Sequence, residues 1–162
     1  MKSAIRLTFL IALFTLCVSA AQQPPPSLVI NDGEYFTRPG VDVMVFQDIY
    51  PEGHQAGVSI IQNGERVATN GDVRLEPTPG QWQPMPKQLK RTVSKELNEI
   101  AVQLAFPDPE RNRRGFNPID YPDLNLTYQV RVRGEGGAFR VIVDLDQPLP
   151  ENWVGKVGFN FE

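Results

Sequence analysis

The clearest pattern in the chain is Leu126-Thr127-Tyr128-Gln129-Val130-Arg131-Val132-Arg133. Apolar side chains occupy every second position and polar ones lie between them, which is typical of a β-strand with one buried and one wet face. A second strand-like run, Ala138-Phe139-Arg140-Val141-Ile142-Val143-Asp144-Leu145, follows after Gly134-Glu135-Gly136-Gly137. Because glycine readily adopts the backbone conformations of a tight turn, the two runs predict an antiparallel hairpin.

Outward from this hairpin, the rest of the chain reads as further short strands. Asn63-Gly64 lies between Val58-Ser59-Ile60-Ile61 and Arg66-Val67-Ala68-Thr69, and this dipeptide is the strongest local hairpin signal because both residues tolerate a positive φ. Other strand-like runs are residues 41–46, 72–75, 99–106 and 154–162. Only residues 92–98 have helical leanings.

The strand count and the turn residues indicate the fold class. The chain has 15 prolines and 13 glycines, and no window shows the long 3.6-residue period of a buried helix. Seven or eight short strands without intervening helices predict an all-β fold, an immunoglobulin-like antiparallel β-sandwich, with a barrel as the alternative. The polar, proline-containing loop 107–123 is long enough to serve a site or an interface.

The N-terminus has the pattern of an export signal. Lys2 and Arg6 precede an apolar run over residues 7–16, and small residues follow at 19–21. The run is too short to span a bilayer, so we predict a signal peptide over residues 1–20, cleaved after Ala20. A proline-rich spacer over residues 21–27 and the sandwich over residues 28–162 follow. A lipoprotein carrying its lipid on Cys17 is the alternative. The mature product is expected to be periplasmic or secreted, with no membrane attachment.

Composition narrows the chemistry of the mature domain. Cys17, the single cysteine, leaves with the signal, which removes disulfides, zinc-thiolate sites and cysteine nucleophiles. Loss of Lys2 and Arg6 with the signal changes the net charge from −3 to −5 (14 basic against 19 acidic residues), which gives no electrostatic reason to bind nucleic acid. The basic cluster Arg111, Arg113 and Arg114 is interpreted as a solvated loop. We expect no cofactor and no metal.

No assembled catalytic site is visible in the sequence. His54 is the only histidine, and the serines that a catalytic triad would need (Ser27, Ser59 and Ser94) do not occur in a Gly-x-Ser-x-Gly turn. Two carboxylate pairs, Asp144 with Asp146 and Asp120 with Asp123, have the chemistry of a glycosidase acid and base. Solvated surface charge is the favoured interpretation of both pairs, so we predict no catalytic residue.

Two tryptophans are the candidate binding residues. Trp82 and Trp153 are flanked by polar or turn residues, and an exposed indole can stack on a sugar ring. In a sandwich without disulfides, a tryptophan near a strand end more often fills the core. The sequon Asn125-Leu126-Thr127 is interpreted as coincidence, because Leu126 opens a patterned strand.

Five segments, in order along the chain, carry a family resemblance. They are residues 42–48, Gly57-Val58-Ser59-Ile60-Ile61-Gln62-Asn63-Gly64, residues 74–82, residues 144–150 and Trp153-Val154-Gly155-Lys156-Val157-Gly158-Phe159-Asn160. Together they resemble the N-terminal immunoglobulin-like domain of secreted family 9 glycoside hydrolases, the cellulase-like endoglucanases of Bacteroidetes-type bacteria. The resemblance implies a modular enzyme in which this sandwich precedes an (α/α) barrel that hydrolyses β-glucans and supplies both catalytic carboxylates.

The resemblance sets the functional expectation. We expect a non-catalytic accessory sandwich that packs against a catalytic glycoside hydrolase domain and stabilises it, the chain being a truncated gene product or a stand-alone remnant. The alternative is a carbohydrate-binding module that uses Trp82 or Trp153 as its stacking platform. A third hypothesis, an independent small hydrolase, would depend on His54.

Overall fold

The computed structural model describes residues 25–47, 57–76, 86–108 and 124–162. Within these ranges the chain forms ten strands and one short 3₁₀ helix, Glu151–Trp153. The strands form two antiparallel sheets that pack on each other through a shared apolar core. The predicted all-β antiparallel sandwich is therefore confirmed. The predicted signal peptide and most of the spacer lie outside the described residues.

The larger sheet has six strands in the order β1-β2-β3-β4-β5-β10. Their bounds are β1 Val29–Ile30, β2 Phe36–Arg38, β3 Val41–Val45, β4 Val58–Gln62, β5 Glu65–Leu75 and β10 Val157–Asn160. The smaller sheet has four strands in the order β6-β7-β8-β9, with bounds β6 Lys87–Ser94, β7 Glu99–Phe106, β8 Leu126–Glu135 and β9 Ala138–Leu145. Among the described strands, β5 and β10 are the only neighbours that are not consecutive in the chain.

The core lies between the two sheets and follows the two-residue period. In β8 every second side chain from Leu126 to Val132 is buried, and the side chains between them are partly exposed. From the facing sheet come the buried side chains of Phe36, Val43, Val45, Val58 and Leu75. Burying one such side chain stabilises the fold by about 1.5–3 kcal/mol, so the apolar interior carries most of the stability.

The two hairpins predicted from glycine-containing turns are both present. Asn63 and Gly64 have φ of 51° and 85°, and they connect β4 to β5. Gly136, with φ of 59°, turns the chain between β8 and β9. These positions accept glycine and asparagine because other side chains are strained at positive φ.

Two details of the predicted strand pattern are wrong. Residues 72–75 are not a separate strand but the end of the 11-residue β5, which contains bulges where it pairs with β4. Residues 92–94 belong to β6 rather than to a helix, and residues 95–98 form the turn into β7. Val93 lies opposite Ile100 and packs against the core, so tertiary packing overrides the weak helical preference.

Asn98 fixes the entry of the chain into the sandwich. Its side-chain Nδ2 donates to the carbonyls of Leu28 (2.8 Å) and Gly134 (3.2 Å), and its Oδ1 accepts from Ile30 N (3.1 Å). A Cβ at Gly134 would lie 2.2 Å from Asn98 Nδ2, so this close approach requires glycine. The start of the domain is thus tied to both the β6–β7 turn and β8.

Candidate functional site

The edge strand β10 is held firmly against β5. Its register pairs Val157 with Leu75 and Asn160 with Asp72. Beyond the strand, Thr69 and Glu162 exchange two backbone hydrogen bonds of 2.9 and 3.0 Å. The described chain end therefore continues the sheet.

Side chains reinforce this attachment. The Glu162 carboxylate accepts from Asn70 Nδ2 at 2.7 Å and lies 3.3 Å from Arg74 Nη1. The ring of Phe161 covers Gly71 so closely that a Cβ there would lie 2.4 Å from Phe161 Cε1. Glycine at position 71 thus permits the ring to sit on the sheet.

The opposite side of β10 is open among the described residues. Since Glu76 N donates to Lys156 O at 2.7 Å, alternate residues from Lys156 onward bond to β5, and the backbone groups of Val157, Phe159 and Phe161 point away from it. No described strand pairs with this side. We call residues 157–161 the β10 edge.

The β10 edge also exposes aromatic surface. Phe159 is 37% exposed and Phe161 36%, and their rings make an edge-to-face contact with centroids 5.3 Å apart and planes at 74°. Nearby in the chain, Val154 is highly exposed as well. Unpaired backbone groups and apolar side chains thus occur on the same residues, a combination that favours contact with another protein surface.

A buried carboxyl lies next to this edge, on the β5 residue opposite Asn160. Asp72 is 8% exposed, and its Oδ1 accepts from Val73 N at 2.7 Å and from the Tyr128 hydroxyl at 3.0 Å. Burial raises the pKa of Asp72 to about 7, although both hydrogen bonds act in the opposite direction. Burial and the adjacent Asp72 carboxyl also raise the pKa of Tyr128 well above its ordinary value.

Sequence reasoning missed this pair. Tyr128 occupies an expected core position. Asp72 lies between Gly71 and Val73, and this local sequence does not indicate that its carboxyl is buried. The only available signal was a tyrosine in a core stripe, since a buried phenol usually needs a hydrogen-bond partner. The pair links the two sheets, and its contacts lie inside the fold, so its direct effect is on stability.

The outer face of the smaller sheet carries a ladder of ion pairs. Arg131 lies 2.7 Å from Asp144 and 3.3 Å from Glu99, and Arg133 lies 2.8 Å from Glu99. Asp144 is exposed, as is Asp146. The prediction that these two aspartates are surface charges, rather than an acid–base pair, agrees with this placement.

Of the predicted binding residues, only Trp153 is described. It is 3% exposed and belongs to the core, as the last residue of the 3₁₀ helix. A ring so buried offers no face for a sugar, which favours the core-filling interpretation of Trp153 over the stacking one. Trp82 lies outside the described residues and stays a prediction. His54, Asp120, Asp123 and the basic cluster at 111–114 also lie outside them.

The serines that the triad hypothesis considered are separated in the structure. Ser59 is buried, and its hydroxyl lies 3.1 Å from Thr69 Oγ1, while Ser94 accepts from Leu97 N in the β6–β7 turn. In the described part of the chain, no group of three or more histidine, cysteine or acidic side chains is arranged to hold a metal ion. No helix in those same ranges has the length and apolarity of a bilayer span.

Comparison with known proteins adds no relative. No protein-family model matches the chain, and no curated protein and no solved structure matches it.

Proposed function

We propose that the chain is the non-catalytic accessory β-sandwich of an exported glycoside hydrolase, which packs against the catalytic domain through the β10 edge and stabilises it. The observation that carries the proposal is this edge, where Phe159 and Phe161 are exposed on residues whose backbone groups point away from β5.

The physical reason is that an open sheet edge with apolar side chains is unfavourable in water. Such an edge invites pairing with other chains, and proteins normally protect it with charge, proline, a bulge or a covering element. Here the edge is immobilised by Glu162 and by the packing of Phe161 on Gly71. A rigid apolar edge loses little conformational freedom on docking, which favours a permanent neighbour in the same protein.

The polysaccharide part of the proposal comes from the sequence. The five segments that resemble the N-terminal domain of family 9 glycoside hydrolases include residues 153–160, which run into the β10 edge. The partner that this resemblance implies is a catalytic (α/α) barrel acting on β-glucan. The proposal assigns catalysis to that barrel and a stabilising role to the sandwich.

The test begins with the genomic sequence beyond the codon for Glu162. A hydrolase reading frame there, in frame or shifted, is expected, and its absence would contradict the proposal. The sandwich is then joined to that catalytic domain, and thermal unfolding of the catalytic domain is followed. Phe159→Ser should lower its midpoint by about 2–4 °C, equivalent to about 1 kcal/mol of lost contact.

The matched control is Leu97→Ser, which replaces another exposed apolar side chain far along the chain, in the β6–β7 turn. It should leave the midpoint unchanged. Equal effects of the two substitutions, or a catalytic domain that is just as stable without the sandwich, would refute packing through the β10 edge.

Affinity electrophoresis of the isolated chain in soluble β-glucan tests the alternative of sugar binding. Unaltered migration is expected. Retardation that disappears with Trp82→Ala would instead establish a carbohydrate-binding module.

A further inference from the structure

A groove opens between the two sheets, lined by residues of β2, β3 and β4 on one side and of β9 on the other. Its volume is about 310 Å³. Its apolar walls come from Leu28, Val41, Ile60 and Phe139, and its polar groups from Arg38 and Gln62. The volume is at the lower end of the range of small-molecule sites, roughly 300–1,000 Å³.

Arg38 is directed to the inner side of its sheet by the strand register. Phe36 pairs with Val43, and both are fully buried, so the residue two positions on, Arg38, shares their face. Its neighbour Thr37 points to the other face, where its hydroxyl donates to Asp42. A guanidinium therefore stands where the alternation would place an apolar side chain.

This guanidinium has no acidic partner among the described residues. Arg38 Nε is buried and makes no hydrogen bond. By contrast, Arg74, Arg91, Arg131, Arg133 and Arg140 each lie within 3.3 Å of a carboxylate. A buried donor without an acceptor costs about 1–3 kcal/mol. Because Nε is enclosed by the fold, a ligand in the groove would meet the outer Nη groups of the guanidinium, to which the described residues offer no carboxylate.

The chemistry of the walls defines the ligand. A guanidinium presents parallel N–H groups that match the two oxygens of a carboxylate, and the pairing strengthens next to apolar surface. The four apolar walls suit a short hydrocarbon body, whereas a sugar would leave most of its hydroxyls unpaired against them. An ammonium group would be repelled by Arg38.

We propose that this groove binds a small aliphatic monocarboxylate, with the carboxylate on Arg38 and the hydrocarbon body between Val41, Ile60 and Phe139. The site is distinct from the β10 edge, so the binding of a ligand there can be tested independently of the proposed packing role. It would give the sandwich a ligand of a different class from the polysaccharide of its proposed parent enzyme.

The experiment is a titration of the ¹⁵N-labelled chain with sodium octanoate, kept below its micellar concentration and followed by amide chemical shifts. Saturable shifts are expected at Val41, Ile60 and Phe139. Octan-1-ol, which has the same body without the charge, should bind about tenfold more weakly, the loss expected when a charge-assisted bond is removed. Equal binding of the acid and the alcohol would overturn the proposal.

Two variants localise the binding. Arg38→Gln keeps a polar side chain but removes the charge, and it should weaken octanoate binding about tenfold. Arg140→Gln is the matched control, because this arginine lies in the adjacent β9 but pairs with the exposed Glu135. Its octanoate affinity should equal that of the original chain. An octanoate affinity that is unchanged in Arg38→Gln, or shifts spread over the whole surface, would refute the site.

A further titration distinguishes an aliphatic acid from the C-terminus of a peptide. N-acetyl-Leu-Leu with a free C-terminus carries the same head group on a peptide body. Weaker binding than octanoate is expected, and tighter binding would show that the groove takes a peptide terminus rather than an aliphatic acid. Thermal unfolding of both variants verifies that they are folded, so a loss of binding reports on the groove.

Discussion

The four-stranded sheet and the β5–β10 region of the six-stranded sheet differ in strand regularity and in the polarity of their buried faces. In β7, β8 and β9 the register is unbroken, the inner face is apolar and the outer face is a ladder of ion pairs. In β5 the strand is bulged, contains a buried carboxyl and supports an edge strand with exposed rings. The regular sheet serves the fold, and the irregular one carries the features that stability alone does not require.

The comparison predicts its largest effect in the regular sheet. Leu126→Ala removes a fully buried side chain from β8 and should destabilise the chain by about 2–5 kcal/mol, because the core loses both burial and packing contacts. Leu97→Ala, at an exposed leucine, should change the free energy of unfolding by less than about 0.5 kcal/mol. Urea unfolding of both variants checks this, and equal losses would contradict the assigned core.

The second prediction concerns the pH dependence that Asp72 imposes. Its folded-state pKa of about 7 exceeds its ordinary value of 3.8, so its contribution to stability is fully present below pH 4 and is lost as the pH rises through 7. Three pKa units correspond to about 4 kcal/mol, an upper figure for one group. Asp72→Asn keeps an oxygen acceptor for Val73 N and Tyr128 and removes the titration.

The measurement is the difference in unfolding free energy between Asp72→Asn and the original chain at pH 4.5, 6 and 7.5. As the pH rises, the stability of Asp72→Asn relative to the original chain should increase. Surface carboxylates are present in both proteins and cancel. A difference that stays constant across this range would show that Asp72 ionises normally.

A third prediction tests the close packing under the β10 edge. Gly71→Ala forces a methyl group into the ring of Phe161 and should cost about 1–3 kcal/mol. Phe161→Ala in the same molecule should relieve part of this cost, because the clash with the ring is removed while the Val58 Cβ, 2.8 Å from the new methyl group, remains. Gly158→Ala is the control, since nothing lies within 4 Å of a Cβ there. Additive losses for Gly71→Ala and Phe161→Ala in a double-mutant cycle would argue against the contact.

The smallest effect is expected in the ion-pair ladder. Asp144→Asn removes one carboxylate from Arg131, which retains Glu99, and the pair is exposed. The loss should be below about 1 kcal/mol and should shrink with added salt. Denaturant unfolding at low and high salt measures it, and a large salt-independent loss would mean that the outer face of this sheet is buried against something.

The same contrast explains what could be predicted from sequence. The β8–β9 hairpin and the Asn63-Gly64 turn follow from alternation and from positive φ, which are local properties. Strand β6 does not follow from such local properties, because Lys87, Gln88, Lys90 and Arg91 leave it without an apolar alternation. Arg91 faces inward, where its guanidinium donates to Val45 O and to Glu34, a contact between sheets that no local pattern encodes.

The candidate sites were less accessible to sequence reasoning than the fold. Arg38 and Asp72 are polar residues on strands, and hydropathy counts them as exposed. The burial of Asp72 and the inward position of Arg38 depend on the strand register, which is set by pairing between strands that no local pattern encodes. The aromatic residues of the β10 edge matched a strand pattern, but an apolar stripe does not indicate whether a facing sheet covers it.

Amide hydrogen exchange at the β10 edge tests the central claim most directly. In the isolated chain, the amides of Val157 and Phe159 should exchange fast, while that of Gly158, which the register directs to β5, should be protected. In a protein joined to the proposed catalytic domain, Val157 and Phe159 should become protected. Fast exchange that is unchanged in the joined protein would contradict the account.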